Sequence, residues 1–175
     1  GATMASARVG VIDYGSGNLR SVLHALDRVG AEAKVIERPQ ELDLVTHIVL
    51  PGVGSMGAAM STLQQRGLDK AVVTAARAQD KPLLGICLGM QLLATAGTEG
   101  GSVTGLDLIP GQVTPLSGVH HTGWSKVPRI GWYDVNPRAV TAPHALLLSG
   151  TFYFAHSYRF DCLKTDDAIA LVGDD

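Results

Sequence analysis

Two cysteines, Cys87 and Cys162, are all that 175 residues contain. That density excludes a disulfide scaffold and points to free thiols in a reducing cytosol, hence to a cytoplasmic protein. Charge of one sign is also scarce. A net charge of −2 gives no reason to expect nucleic acid or an anionic membrane as a partner. No apolar run approaches the roughly 18 residues that a bilayer span needs. No secretory signal precedes the first strand. Repeats, low-complexity tracts and linkers are missing too, so one domain is expected. Hydrophobic residues make up 46% and charged residues 17%, the balance of a globular chain and not a disordered one. Residues 1–7 read as a leader, with Gly1-Ala2-Thr3 before Met4 as a tag remnant. Residues 8–175 read as the domain.

The stretch that organises this domain is Lys81-Pro82-Leu83-Leu84-Gly85-Ile86-Cys87-Leu88-Gly89-Met90-Gln91. Leu83, Leu84 and Ile86 form a short apolar run expected to be a buried strand of a parallel sheet. Met90 to Ala96 carries good helix formers and is expected to be a helix ending near Gly97. Gly85-Ile86-Cys87-Leu88-Gly89 between them has the spacing of a nucleophile elbow with cysteine in the nucleophile position. A strand turning sharply into a helix crowds the backbone, and glycine relieves the crowding. The thiol is then left at a helix N-terminus, which favours the thiolate and offers N–H groups to an oxyanion. An inert core cysteine is the competing reading, and the strand–turn–helix context outweighs it.

Around this elbow the chain reads as alternating strands and helices. Arg8 to Tyr14 is a strand, Leu19 to Val29 an amphipathic helix closed by Gly30, Ala33 to Ile36 and His47 to Leu50 further strands. Ala58 to Gln64 and Leu68 to Gln79 are helices separated by Gly67. Gly15-x-Gly17 lacks the third glycine of a dinucleotide fingerprint, with Arg20 in its place, so a turn holding a loop above the sheet is expected there. Pro51-Gly52-Val53-Gly54-Ser55-Met56-Gly57 leaves the carboxyl end of a strand, where open α/β sheets bind ligands. The order predicts an α/β fold: a doubly wound, mostly parallel sheet with flanking helices. The second half differs. Val103 to Leu116, Lys126 to Asn136 and Leu146 to Tyr158 predict a small antiparallel β portion, and Ala168 to Val172 is a last apolar run.

A cysteine nucleophile normally needs a histidine, itself oriented by an acid. His24, His47, His120, His121, His144 and His156 are the choices. None is followed by an acid in a suitable arrangement, and each reads better as surface or core.

Five motifs then act jointly: Asp13-Tyr14-Gly15-Ser16-Gly17-Asn18-Leu19, Pro51-Gly52-Val53-Gly54, Gly85 to Gln91, Lys126-Val127-Pro128-x-Ile130-Gly131-Trp132, and His156-Ser157-Tyr158. Together they resemble the class I (triad) glutamine amidotransferases, and among them the glutaminase subunits of imidazole glycerol phosphate synthase. The resemblance runs from about Val9 to Val172. It implies hydrolysis of glutamine to glutamate and ammonia. Ammonia would pass to a (β/α)8-barrel synthase subunit, held as a heterodimer, that makes imidazole glycerol phosphate in histidine biosynthesis. By position, Cys87 would be the nucleophile that forms a γ-glutamyl thioester. Gly52, Val53 and the N–H of Leu88 would hold the oxyanion. Gln91, Glu99, Ser157 and Tyr158 would contact glutamine. Asn18, Lys126, Pro128 and Trp132 would face the synthase. No cofactor and no metal is implied.

The departures bear on activity. The family's catalytic His and Glu lie in a His-Pro-Glu segment that these 175 residues do not contain. Truncation is expected, and with it a chain nearly inactive alone. Arg129 stands in the partner-facing stretch where the family usually has His, and Met56 replaces a usual Phe beside the oxyanion loop. Two other readings stay open: a non-catalytic partner-binding subunit without the His-Glu pair, and a paralogue giving ammonia to another acceptor such as a nucleotide sugar.

Overall fold

The computed structural model describes residues 6–116, 127–138 and 149–172. Lys126, His120, His121, His144 and the residues up to 5 lie outside the described residues.

Strand β1 (Arg8–Ile12) alternates its side chains between two apolar faces. Helix α1 (Leu19–Arg28) packs against one, where Val9 and Val11 of β1 and Val49 of β3 (His47–Leu50) meet Leu19, Val22, Leu23 and Leu26. Helices α2 (Met56–Gln65) and α3 (Leu68–Arg77) cover the other, where Ile12, Ile48 and Leu50 meet Met60, Leu63, Leu68 and Val72. β2 (Glu32–Ile36) and β4 (Leu83–Gly85) complete a four-stranded, all-parallel sheet in the order β2-β1-β3-β4. The strand order reverses between β1 and β3, so the doubly wound expectation holds and the loops after these two strands flank the switch point.

Two expectations about the elbow are corrected. Among the described residues β4 is an edge strand with β3 beside it, and Leu84 is 58% exposed where a buried strand was expected. The elbow helix α4 spans only Leu88–Gln91, and Ala94–Gly97 is a strand, β5. The reason is tertiary. The Leu92 carbonyl accepts the Leu106 N–H at 2.8 Å, and the Leu93 carbonyl accepts Leu108 and Ile109, each at 2.9 Å. With these carbonyls taken by a distant segment, the helix has nothing to propagate on.

β5 leads into a second sheet, β10-β7-β5-β6, with β6 at Val103–Thr104, β7 at Ile109–Pro115 and β10 at Tyr158–Cys162. A third sheet, β11-β8-β9, is antiparallel: β8 is Arg129–Pro137, β9 Gly150–His156 and β11 Ala170–Val172. The antiparallel portion of the second half is therefore present. No described helix is long and apolar enough to cross a membrane.

Candidate active site

Cys87 sits between β4 and α4 with φ 55° and ψ −118°. A side chain in that region costs about 1–3 kcal/mol and persists only where its surroundings hold it. Both flanks are held. The Ile86 N–H donates to the Leu50 carbonyl at 2.9 Å, and Met90 and Gln91 donate to the Cys87 carbonyl at 3.0 and 3.2 Å. The two glycines of the elbow are required by contact. A Cβ on Gly89 would stand 1.8 Å from the Leu50 carbonyl oxygen, and one on Gly85 2.6 Å from the Met90 Cα.

The consequence is an exposed thiol at the carboxyl edge of the sheet. Cys162 differs. It is half-buried in β10, and burial, then Asp167 and Asp161, push its thiol up, so it stays protonated at neutral pH.

The loop after β1 is clasped to the loop after β3. The Ser16 hydroxyl donates to the Val53 carbonyl at 2.6 Å and accepts the Val53 N–H at 3.1 Å. The buried Tyr14 hydroxyl donates to the Pro51 carbonyl at 2.7 Å. Burial pushes the Tyr14 phenol up; the nearby Cys87 adds to this and the Ser16 hydrogen bond opposes it. Gly15 to Gly17 thus serves the turn that its missing third glycine suggested. Asn18 caps α1, its side chain accepting the Ser21 N–H at 3.3 Å, and is exposed.

Cys87 opens onto a cleft of about 310 Å³. Val53, Leu88, Gln91, Glu99, Ser157 and Tyr158 line it, so residues from four separate stretches of sequence converge there. Glu99 reaches it from the loop after β5 and accepts the Met56 N–H, at the start of α2, at 3.3 Å. Gly52 does not line the cleft. It lies buried behind, where a Cβ would meet the Tyr14 hydroxyl and the Gly89 nitrogen. Leu88 is the first residue of α4, so its N–H has no partner within the helix.

His156 also lines this cleft, a placement the sequence pattern did not reveal. Arg129 corrects another expectation. It is only 7% exposed and lies on the face of β8 opposite Trp132, where a surface position was expected. The outward face carries Ile130 and Trp132, with Trp132 70% exposed and packed edge-on against Tyr153 at 5.5 Å. Val127 and Pro128 are exposed beside it. Met56 is buried in the main core. Among the described residues no cluster of His, Cys, Asp or Glu could hold a metal.

A doubly wound sheet with a strained cysteine elbow beside a glycine-rich loop defines an α/β domain built around a candidate thiol nucleophile. The family model for class-I glutamine amidotransferases matches residues 10–162, and the chain belongs to that family. It is 45% identical over 152 residues to the imidazole glycerol phosphate synthase subunit HisH of Moorella thermoacetica, covering 86% of this chain and 69% of that protein. The HisH subunit of Symbiobacterium thermophilum is 44% identical over 167 residues, covering 95% and 76%. Among solved structures, PurLQS from Thermotoga maritima superposes with a TM-score of 0.68 at 19% identity, over 98% of this chain and 76% of that one. A structure described as a glutamine amidotransferase gives 0.65 at 18% identity, over 93% and 78%. At these identities the structural likeness speaks for the fold.

Proposed function

We propose that the chain is the glutaminase subunit of an imidazole glycerol phosphate synthase, working in the cytoplasm as a heterodimer with a (β/α)8-barrel subunit. The observation that carries this reading is the exposed Cys87, held at φ 55° over a cleft that also contains Gln91, Glu99, Ser157 and Tyr158. Relatives that are 41–45% identical to it over the aligned residues carry the HisH name.

In this reading the Cys87 thiolate attacks the γ-carboxamide carbon of glutamine. The carbonyl oxygen takes the negative charge and the C–N bond breaks, releasing ammonia once the nitrogen has gained a proton. Water then attacks the γ-glutamyl thioester, freeing glutamate and restoring the thiol. The Leu88 N–H is one donor for the oxyanion. The Val53 N–H is the other once it leaves Ser16, to which it is bonded at 3.1 Å. Gln91, Glu99 and the Ser157-Tyr158 segment hold the amino-acid end of the substrate. Trp132, Pro128, Asn18 and Lys126 face the synthase. The apolar outward side of β8 and β9 supports that surface, because an exposed Trp–Tyr pair suits the centre of an interface.

The test mixes a version extended by the family's His-Pro-Glu segment with a barrel synthase subunit and follows glutamate release. The reading predicts release that depends on the partner and falls at least about 10⁴-fold in Cys87→Ala. Equal release from both proteins would remove Cys87 from the reaction.

A further inference from the structure

His156 ends β9, and its Nδ1 lies 2.7 Å from the Tyr158 carbonyl oxygen. A carbonyl can only accept, so Nδ1 carries the hydrogen, and in the neutral ring Nε2 is left with a lone pair. That Nε2 is buried and has no hydrogen-bond partner among the described residues. Leaving a buried acceptor unpaired costs about 1–3 kcal/mol. The ring is also fixed in place, with Phe154 packed against it at 5.9 Å.

His156 separates two spaces. One is the Cys87 cleft. The other is a cavity of about 510 Å³ bordered by Arg129, Arg138 and Arg159, with Asp161 as the one acid in its lining. Arg159 is paired with Asp161 at 2.9 Å, but arginines still outnumber acids along that lining, so a guest drawn there by charge is an anion. Anions bring acceptors, and a lone pair gains nothing from another acceptor. The Cys87 cleft is different, because an amide substrate brings N–H donors into it.

We propose that His156 is a specificity-determining residue: its Nε2 accepts a hydrogen bond from the γ-carboxamide –NH2 of glutamine. The proposal rests on the glutaminase reading above. It gives the cleft a means of telling substrate from product. Glutamate ends in a carboxylate without N–H groups, so it sets its own lone pairs against that of Nε2. Sites built to bond a substrate N–H reject analogues that lack it, because the buried partner is then left unpaired.

The experiment measures the affinities of glutamine and glutamate by calorimetry for the parent, His156→Phe and His156→Gln, with folding followed by circular dichroism. Phenylalanine keeps the ring packing and removes the acceptor. Glutamine at 156 keeps a donor for Tyr158 and an acceptor for the ligand. The expected result is a parent preference for glutamine that falls about tenfold or more in His156→Phe, through weaker glutamine binding alone, and survives in His156→Gln. A merely structural role would weaken both ligands together and leave the ratio unchanged, which would overturn the proposal. Should His156→Phe unfold, the parent decides the matter with the γ-methyl ester of glutamate, similar in size to glutamine but without the N–H. The ester should bind about tenfold more weakly; equal affinity would overturn the proposal. A parent that binds no glutamine contradicts the glutaminase reading itself, whereas glutamine binding with an unmoved ratio contradicts only the role of His156.

Discussion

The parallel sheet and the β8–β9 ribbon both alternate apolar side chains along their strands, but they use the alternation differently. In β1 and β3 both sets of side chains are covered, one by α1 and the other by α2 and α3. In β8 and β9 only one set is covered by the described residues: Arg129, Tyr133, Phe154 and His156 turn inward, while Ile130, Trp132 and Tyr153 are exposed. A sheet sheathed on both faces can offer function only at its strand ends, and there the Ser16–Val53 clasp and the Cys87 elbow are found. A ribbon sheathed on one face leaves the other exposed, and the proposed function gives that face to the partner. Under that proposal the same polypeptide divides chemistry from docking by how completely each sheet is covered.

Substitutions can break or sharpen this contrast. The largest effect on stability is expected where the sheathed sheet meets the elbow. Gly89→Ala drives a methyl group into the Leu50 carbonyl, and should cost about 3 kcal/mol or more in urea unfolding. Trp132→Ser belongs to the uncovered face. It should shift the same unfolding curve by no more than about 0.5 kcal/mol, yet weaken synthase binding by about 2 kcal/mol in calorimetry. A large loss of stability there would mean that the ribbon's outer face is core after all.

Tyr14→Phe should cost about 1 kcal/mol of stability, from the lost hydrogen bond to Pro51. Its pH dependence follows from the raised phenol pKa, caused first by burial. The folded state holds the Tyr14 proton more tightly than the unfolded chain does. The contribution is therefore complete below the ordinary phenol value of about 10 and is lost as pH rises through the higher folded value. Alkaline unfolding of Tyr14→Phe should lack that component.

Much of the sheathed sheet was legible in the sequence because its signals are local. The apolar stripe of Leu19 to Val29, the β-branched runs and the elbow glycines each specify their own element. The convergence of Val53, Cys87, Gln91, Glu99, Ser157 and Tyr158 was legible only through the family resemblance, since no local pattern links them. The misreadings have a common origin in distant contacts. Ala94 to Gly97 carries helix formers, but the 105–109 segment takes the carbonyls that a helix would need. Leu84 is apolar but belongs to an edge strand. Arg129 reads as surface and is buried because register, not charge, decides which face of β8 it occupies. His156 has no acid near it in sequence, and its orienting group is a backbone carbonyl, which no residue pattern reveals.

The central claim is that Cys87, and not Cys162, meets glutamine. It is tested most directly by treating the protein with a diazoketone analogue of glutamine and locating the adduct by mass spectrometry. The account predicts a single adduct on Cys87 that free glutamine suppresses. Labelling of Cys162, or labelling of Cys87 that glutamine leaves untouched, would contradict it.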